Sequence, residues 1–152
     1  MNDALGPRLA AARRRAREHG DFDGFVELVP YARFLGLRVE QSAEGLRMRL
    51  PFRAELVGNP ALPAIHGGVT AAFMENAALL HLLLQLDQTR IPKSIDFAID
   101  YLRSARTLDC HAACEITRVG GRVAHAQIRC WQDDPARPIA LARAHFLLAT
   151  AE

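Results

Sequence analysis

His66-Gly67-Gly68, followed by Val69-Thr70-Ala71-Ala72-Phe73-Met74-Glu75-Asn76-Ala77-Ala78 and a leucine-rich run to Leu86, is the stretch around which the rest of the chain must fold. Val69, Ala72, Phe73, Asn76, Leu80, Leu83 and Leu84 keep an i, i+3, i+4 rhythm, which predicts one long helix with two glycines at its start. The opposite face, with Ala71, Met74, Ala78 and Leu82, is apolar too. A helix that is apolar all round belongs in a core, covered on more than one side. One carboxylate, Glu75, interrupts it. A carboxylate in an apolar setting is costly without a partner, so Glu75 needs a reason to be there.

Outward from that helix the chain reads as strands. Leu37, Val39 and Gln41 alternate with Arg38 and Glu40, and Leu46, Met48 and Leu50 with Arg47 and Arg49. The turn residues Ser42-Ala43-Glu44-Gly45 join the two as a hairpin. Pro51 to Ile65 is loop, and Pro92 bars the helix from continuing. Beyond it Ile95, Phe97, Ile99 and Tyr101 alternate with Asp96, Ala98 and Asp100. Leu108 to Val119 meets Arg122 to Trp131 across Gly120-Gly121, and a last strand runs from Ile139 to Leu148. Two strands, one long helix and a meander of about four strands make an α+β protein whose antiparallel sheet must curl around the helix.

At the N-terminus, residues 3 to 19 predict a separate amphipathic helix ending at Gly20, with Leu5, Leu9 and Ala12 on one side. Its run Arg13-Arg14-Arg15 with Arg17 reads as a solvated face, because Glu18, Asp21 and Asp23 follow at once. The expected division is an Arg-rich helical extension over 1–24 and a main domain over 25–152. Tyr31 to Gly36 supplies about one helical turn.

Composition narrows the function classes. A net charge of +2 on 152 residues does not point to nucleic acid. Cys110, Cys114 and Cys130 are an odd, widely spaced set, which predicts reduced thiols in a cytoplasmic protein. His81, His111, His125 and His145 lack the spacing of a metal site, and no cofactor is implied. Glu75, Asn76 and His81 inside the long helix argue against a membrane span.

The His66-Gly67-Gly68 motif with an acid nine positions after the histidine resembles the hotdog-fold acyl-CoA thioesterases of the phenylacetate-pathway and 4-hydroxybenzoyl-CoA type. Gly58-Asn59-Pro60 and the strand from Ser94 to Arg103 fit the same resemblance, which covers about residues 30 to 149. It implies a sheet of about six strands wrapped around the central helix, an acyl-CoA substrate whose acyl group is aryl, short-chain or medium-chain, and a homodimer, possibly a dimer of dimers.

The chemistry follows from the residue types. A helix start presents unpaired N–H groups and the positive end of the dipole, and glycine lets a ligand come close. Gly67, and less directly Gly68, can polarise a thioester carbonyl, while Glu75 serves as general base or attacking carboxylate. His66 reads foremost as a helix-start residue with a satisfied ring. Asn59 is either a loop cap or a catalytic polar group. Ser94 stands where some relatives carry a hydroxyl that orients the attacking water, or is a strand-start hydroxyl bonding solvent. Arg103 and Arg106, at the end of the Tyr101 strand, are candidates for the coenzyme A phosphates or are plain strand-end arginines. Phe73, Met74, Phe97 and Tyr101 line an acyl pocket or belong to the core. Two other classes compete: a hotdog hydratase acting on acyl thioesters, and a non-catalytic acyl-CoA binder.

Eight residues separate Gly67 from Glu75, about 12 Å along a helix axis. One thioester carbon cannot lie near both, so a shared site needs two chains with antiparallel central helices.

Overall fold

The computed structural model describes residues 4–149. Three short-to-medium helices lead the chain: α1 (Leu5–His19), α2 (Asp23–Leu28) and α3 (Pro30–Leu35). The hairpin β1 (Arg38–Ser42) and β2 (Gly45–Leu50) follows, then the central helix α4 (Gly67–Gln85). Four strands complete the chain: β3 (Lys93–Tyr101), β4 (Cys110–Val119), β5 (Val123–Trp131) and β6 (Ala140–Leu147). This is the hotdog arrangement, an antiparallel six-stranded sheet curled around one long helix with a further helix at the N-terminus.

Why the helix can sit inside the sheet is legible on the inner face. Ala112, Ala124, Ala126, Ala140, Ala142 and Ala144 are buried there, so the backbone of the sheet can approach closely. Phe73, Met74, Ala77, Ala78 and Leu80 of α4 are wholly buried against it. Close packing of this kind supplies most of a helix's stability in a protein. By length and hydropathy alone α4 is apolar enough to cross a bilayer, yet here it is the core.

Strand order is β1-β2-β4-β5-β6-β3. A simple meander after the helix would pair β3 with β4. Instead β3 pairs with β6, and β4 pairs with β2. The helix carries the chain across the sheet to the far edge, so β3 lies there and the chain must return before β4 begins. Only β4-β5-β6 is a true meander.

The β3 pattern also departs from simple alternation. The register slips between Ser94 and Asp96, so Ile95 is an extra, bulged residue. Ser94 pairs with the buried Phe146 and takes its inward face, whereas Asp96 pairs with His145 on the outer face. Ile95, read from the sequence as facing inward with Phe97, is pushed out and is 56% exposed.

The N-terminal helix packs into the same core through Leu9, Ala12 and Ala16. The start predicted for it at residue 3 lies outside the described residues. It stops at Gly20, whose φ of 65° is the left-handed conformation glycine adopts without strain. Arg13 is not solvated with its neighbours but buried. Its guanidinium donates to Leu83 O (3.2 and 3.1 Å) and Gln88 O (3.1 Å) and lies 3.4 Å from Asp87. The end of α4 offers unpaired carbonyls and the negative pole of its dipole, which a cation satisfies.

One core residue makes the fold sensitive to acid. His81, partly buried on α4, has an Nδ1 with no hydrogen-bond partner among the described residues. Burial holds its pKa below the ordinary 6.5. His111 on β4 is depressed as well, by burial and then by Arg47. Both are held neutral, so below about pH 6.5 the unfolded chain binds protons that the fold refuses. Stability is therefore full above that pH and falls as the pH drops toward the lowered values. Thermal melts of His81→Leu between pH 7 and 5 should show a shallower fall than wild type; an unchanged slope would clear His81 of the effect.

Candidate active site

The approach to α4 is tied down before the helix begins. A 3₁₀ turn, Ala54–Leu56, leads into the loop, and Val57 bridges Ile65 at its neck. Gly58 N–H donates to Ala64 O (3.1 Å), Ile65 N–H to Ala105 O (2.9 Å) and His66 N–H to Leu56 O (2.8 Å). Gly58 permits this closure, because a Cβ there would lie 2.7 Å from the His66 ring and 3.2 Å from its Cα. Asn59 sits at the exposed loop tip. Its side-chain oxygen accepts from Ala61 N–H (3.0 Å) and its carbonyl from Leu62 N–H (3.1 Å), so within this chain it is a loop cap.

His66 is the N-cap of α4. Its Nδ1 accepts from Gly68 N–H at 2.9 Å, the satisfied helix-start ring that its position suggested. That bond closes Gly68 as a donor to any ligand. Val69 and Thr70 N–H both turn back to His66 O, at 2.9 and 3.1 Å. Among the described residues only Gly67 N–H at this helix start is left without an acceptor, so the two glycines, similar in sequence, are not equivalent.

Gly67 borders an open cleft of about 420 Å³ whose walls include Ile65, Thr70, Tyr101, Arg103 and Ile139. The cleft lining mixes apolar Ile65, Ala105 and Ile139 with the polar Thr70 and Ser104 and one guanidinium, Arg103. Arg106 does not share it: its side chain pairs with Asp133, and its backbone is locked to the Gln132 side chain in both directions, at 2.9 and 2.7 Å. Tyr101, a candidate for core or pocket, is 54% exposed, and its hydroxyl donates to Gly67 O at 2.7 Å. Phe73 and Met74 are wholly buried and belong to the core.

Two turns along α4, Glu75 is only partly buried, not enclosed as its apolar neighbours suggested. The flank is open because the sheet ends at β3. The inward-turned Ser94 at the start of that strand donates its hydroxyl to Glu75 Oε1. The bulge at Ile95 is what aims it. Ser94 therefore fixes one carboxylate oxygen, and the other has no hydrogen-bond partner among the described residues.

Sequence reasoning pointed to Glu75, Gly67 and His66 as a set but missed the parts that hold them, Gly58 and Tyr101. Gly58 carried a signal in its place beside Asn59-Pro60. Tyr101 carried none, since its contact with Gly67 spans 34 positions.

The sequence profile described as the thioesterase superfamily matches residues 62–139. A medium/long-chain acyl-CoA thioesterase of Salmonella typhimurium, YigI, is 32% identical over 125 residues, covering 72% of this chain and 80% of that protein. A crystal structure from Chromobacterium violaceum superposes with a TM-score of 0.75 at 40% identity, covering 96% of this chain and 99% of the other. One from Pseudomonas aeruginosa gives 0.70 at 30% identity, covering 93% and 98%.

Proposed function

The chain belongs to the thioesterase superfamily and is a thioester hydrolase, and on that footing we propose that it hydrolyses medium- or long-chain acyl-CoA with Glu75 as general base and Gly67 N–H as the carbonyl donor. The observation that carries the reading is the Ser94–Glu75 pair, which sets a hydrogen-bonded, partly exposed carboxylate midway along the core helix. A carboxylate anchored through one oxygen keeps the other for a proton, as a base must. Water adds to the thioester carbon while Glu75 takes its proton. The carbonyl oxygen gains negative charge, and a preorganised backbone donor is worth roughly 3–4 kcal/mol to it. The tetrahedral species then expels the thiolate, which takes the proton from Glu75 and leaves as coenzyme A, so the base is restored and the acid is released. Attack by Glu75 itself would pass through an anhydride, and ¹⁸O found in the Glu75 carboxylate after single turnover in ¹⁸O-water would require it, since the general-base route puts solvent oxygen only in the released acid.

The acyl length is argued from the kinship with YigI and from the apolar part of the cleft lining beside Gly67. Arg103, on the same cleft, is the candidate for the coenzyme A phosphates, and Arg106 is spoken for by Asp133. A second copy of the chain completes the site. It adds to β3, the edge strand, whose outward neighbour position is vacant and whose Ile95 and Tyr101 are more than half exposed.

A thiol-release assay over saturated acyl-CoA esters of increasing length tests the proposal. Turnover should be greatest for medium or long chains. Thiol release confined to short or aryl esters would overturn the substrate class, and none across the whole panel would overturn acyl-CoA hydrolysis.

A further inference from the structure

We propose that Tyr101 is a positioning residue for hydrolysis, holding the oxyanion donor in place through the Gly67–Gly68 peptide. This rests on the reading of Gly67 N–H given above. The peptide group between the two glycines is gripped at both ends. Its carbonyl accepts from the Tyr101 hydroxyl at 2.7 Å, and its N–H donates to His66 Nδ1 at 2.9 Å. The amide immediately before it, Gly67 N–H, is the donor left open.

Glycine at a helix start leaves the backbone more freedom than any other residue would. A donor that drifts must be reoriented as charge develops, and that reorganisation is what a preorganised site avoids. The peptide that carries the donor is held at its carbonyl, since His66 O accepts from Val69 and Thr70 N–H. Tyr101 reaches in from β3 and, with His66 Nδ1, holds the next peptide, so both planes that meet at Gly67 are fixed. Its ring also lies against the Gly67 Cα: a Cβ built there would meet Tyr101 Cζ and Oη at 3.3 Å. A Cβ on Gly68 would meet His66 Nδ1 at 3.0 Å. Each glycine is thus backed by one arm of the clamp. Tyr101 is half exposed and lies at a strand end, so the hydroxyl bond, not burial, gives its ring a fixed place.

The test is Tyr101→Phe in the full chain, assayed by thiol release beside wild type and Glu75→Gln. The ring is kept and only the hydroxyl is lost. The expected result is a fall in kcat of about ten-fold with KM within two-fold, short of the roughly hundred-fold that gross misplacement costs. In proton–nitrogen spectra of glycine-labelled protein, Gly67 and Gly68 should shift or broaden while Gly20 and Gly36 stay in place. An unchanged kcat overturns the proposal, as does a raised KM at constant kcat, which would make Tyr101 a substrate-contact wall. If Glu75→Gln is inactive and Tyr101→Phe matches wild type, this inference fails and the reading of the site stands. If Glu75→Gln is fully active, the reading itself fails. Should Tyr101→Phe not fold, Tyr101→Leu replaces it: at a half-exposed strand end the hydroxyl is again removed, the same loss of kcat at constant KM is expected, and a normal kcat there overturns the clamp.

Discussion

Glu75→Gln is expected to reduce turnover roughly 10³-fold, the middle of the range for loss of a general base, while the variant folds and still binds acyl-CoA. The amide keeps the side chain's shape and can still accept the Ser94 hydroxyl bond through its carbonyl oxygen. What it cannot do is take a proton from water. Stability should change little, because Glu75 is partly exposed and makes no ion pair among the described residues. Ser94→Ala completes the comparison. It leaves the base but frees it to swing, so the expected loss is about 10²-fold, the order for one positioning contact. The measurement is kcat by thiol release together with coenzyme A affinity by calorimetry. A Glu75→Gln rate above about a tenth of wild type would mean that barely 1.4 kcal/mol of the barrier depended on the carboxylate, and the base would have to be sought elsewhere. A Ser94→Ala variant slower than Glu75→Gln would reverse the assigned roles.

Local physics made much of this fold readable. The start of α4 follows from the glycine pair before the apolar run and its end at Gln85 from the close of the leucine run, and the β1–β2 hairpin from alternation and Gly45, whose φ is 117°. The hidden features all depend on distant partners. β3 has the same alternation as any half-buried strand, so nothing in it announced that it would pair with β6 and lie at the edge. The bulge at Ile95 shifts the parity of the strand, which is why Ser94 faces inward although alternation put Ile95 there. Arg13 looks like Arg14 and Arg15 in sequence. It differs because its position on α1 meets the free carbonyls at the end of α4. The candidate site divides along the same line. Glu75, Gly67 and His66 lie at or on one helix and could be read together, and Ser94 was named from the resemblance, whereas the reach of Tyr101 to Gly67 from β3 depends on the folded strand.

Mixing two inactive variants should restore activity. Gly67→Pro chains and Glu75→Gln chains, unfolded together and refolded at equal concentration, are expected to regain about a quarter of wild-type turnover: half of the dimers are mixed, and each mixed dimer has one of two sites intact. Proline suits Gly67 because that residue is the first of α4, where the missing N–H costs the helix nothing. His66, with φ −59° and ψ 134°, already holds the extended conformation that a following proline requires. The substitution therefore deletes the open donor and spares the fold. Within one chain Gly67 and Glu75 are held about 12 Å apart along α4 by the helix rise, and no bend in a helix wrapped by the sheet can bring them to one carbon. In the proposed dimer, two copies joined along β3 with their central helices antiparallel would set Gly67 of one chain beside Glu75 of the other. In a mixed dimer the Glu75→Gln chain then lends its Gly67 and the Gly67→Pro chain lends its Glu75, while the second site lacks both. Were each site built within a single chain, both chains of every dimer would be dead, and the mixture would stay at the level of the parents. Size-exclusion chromatography and a mass-tagged pair of chains establish that mixed dimers have formed. Mixed dimers without activity would refute the shared site.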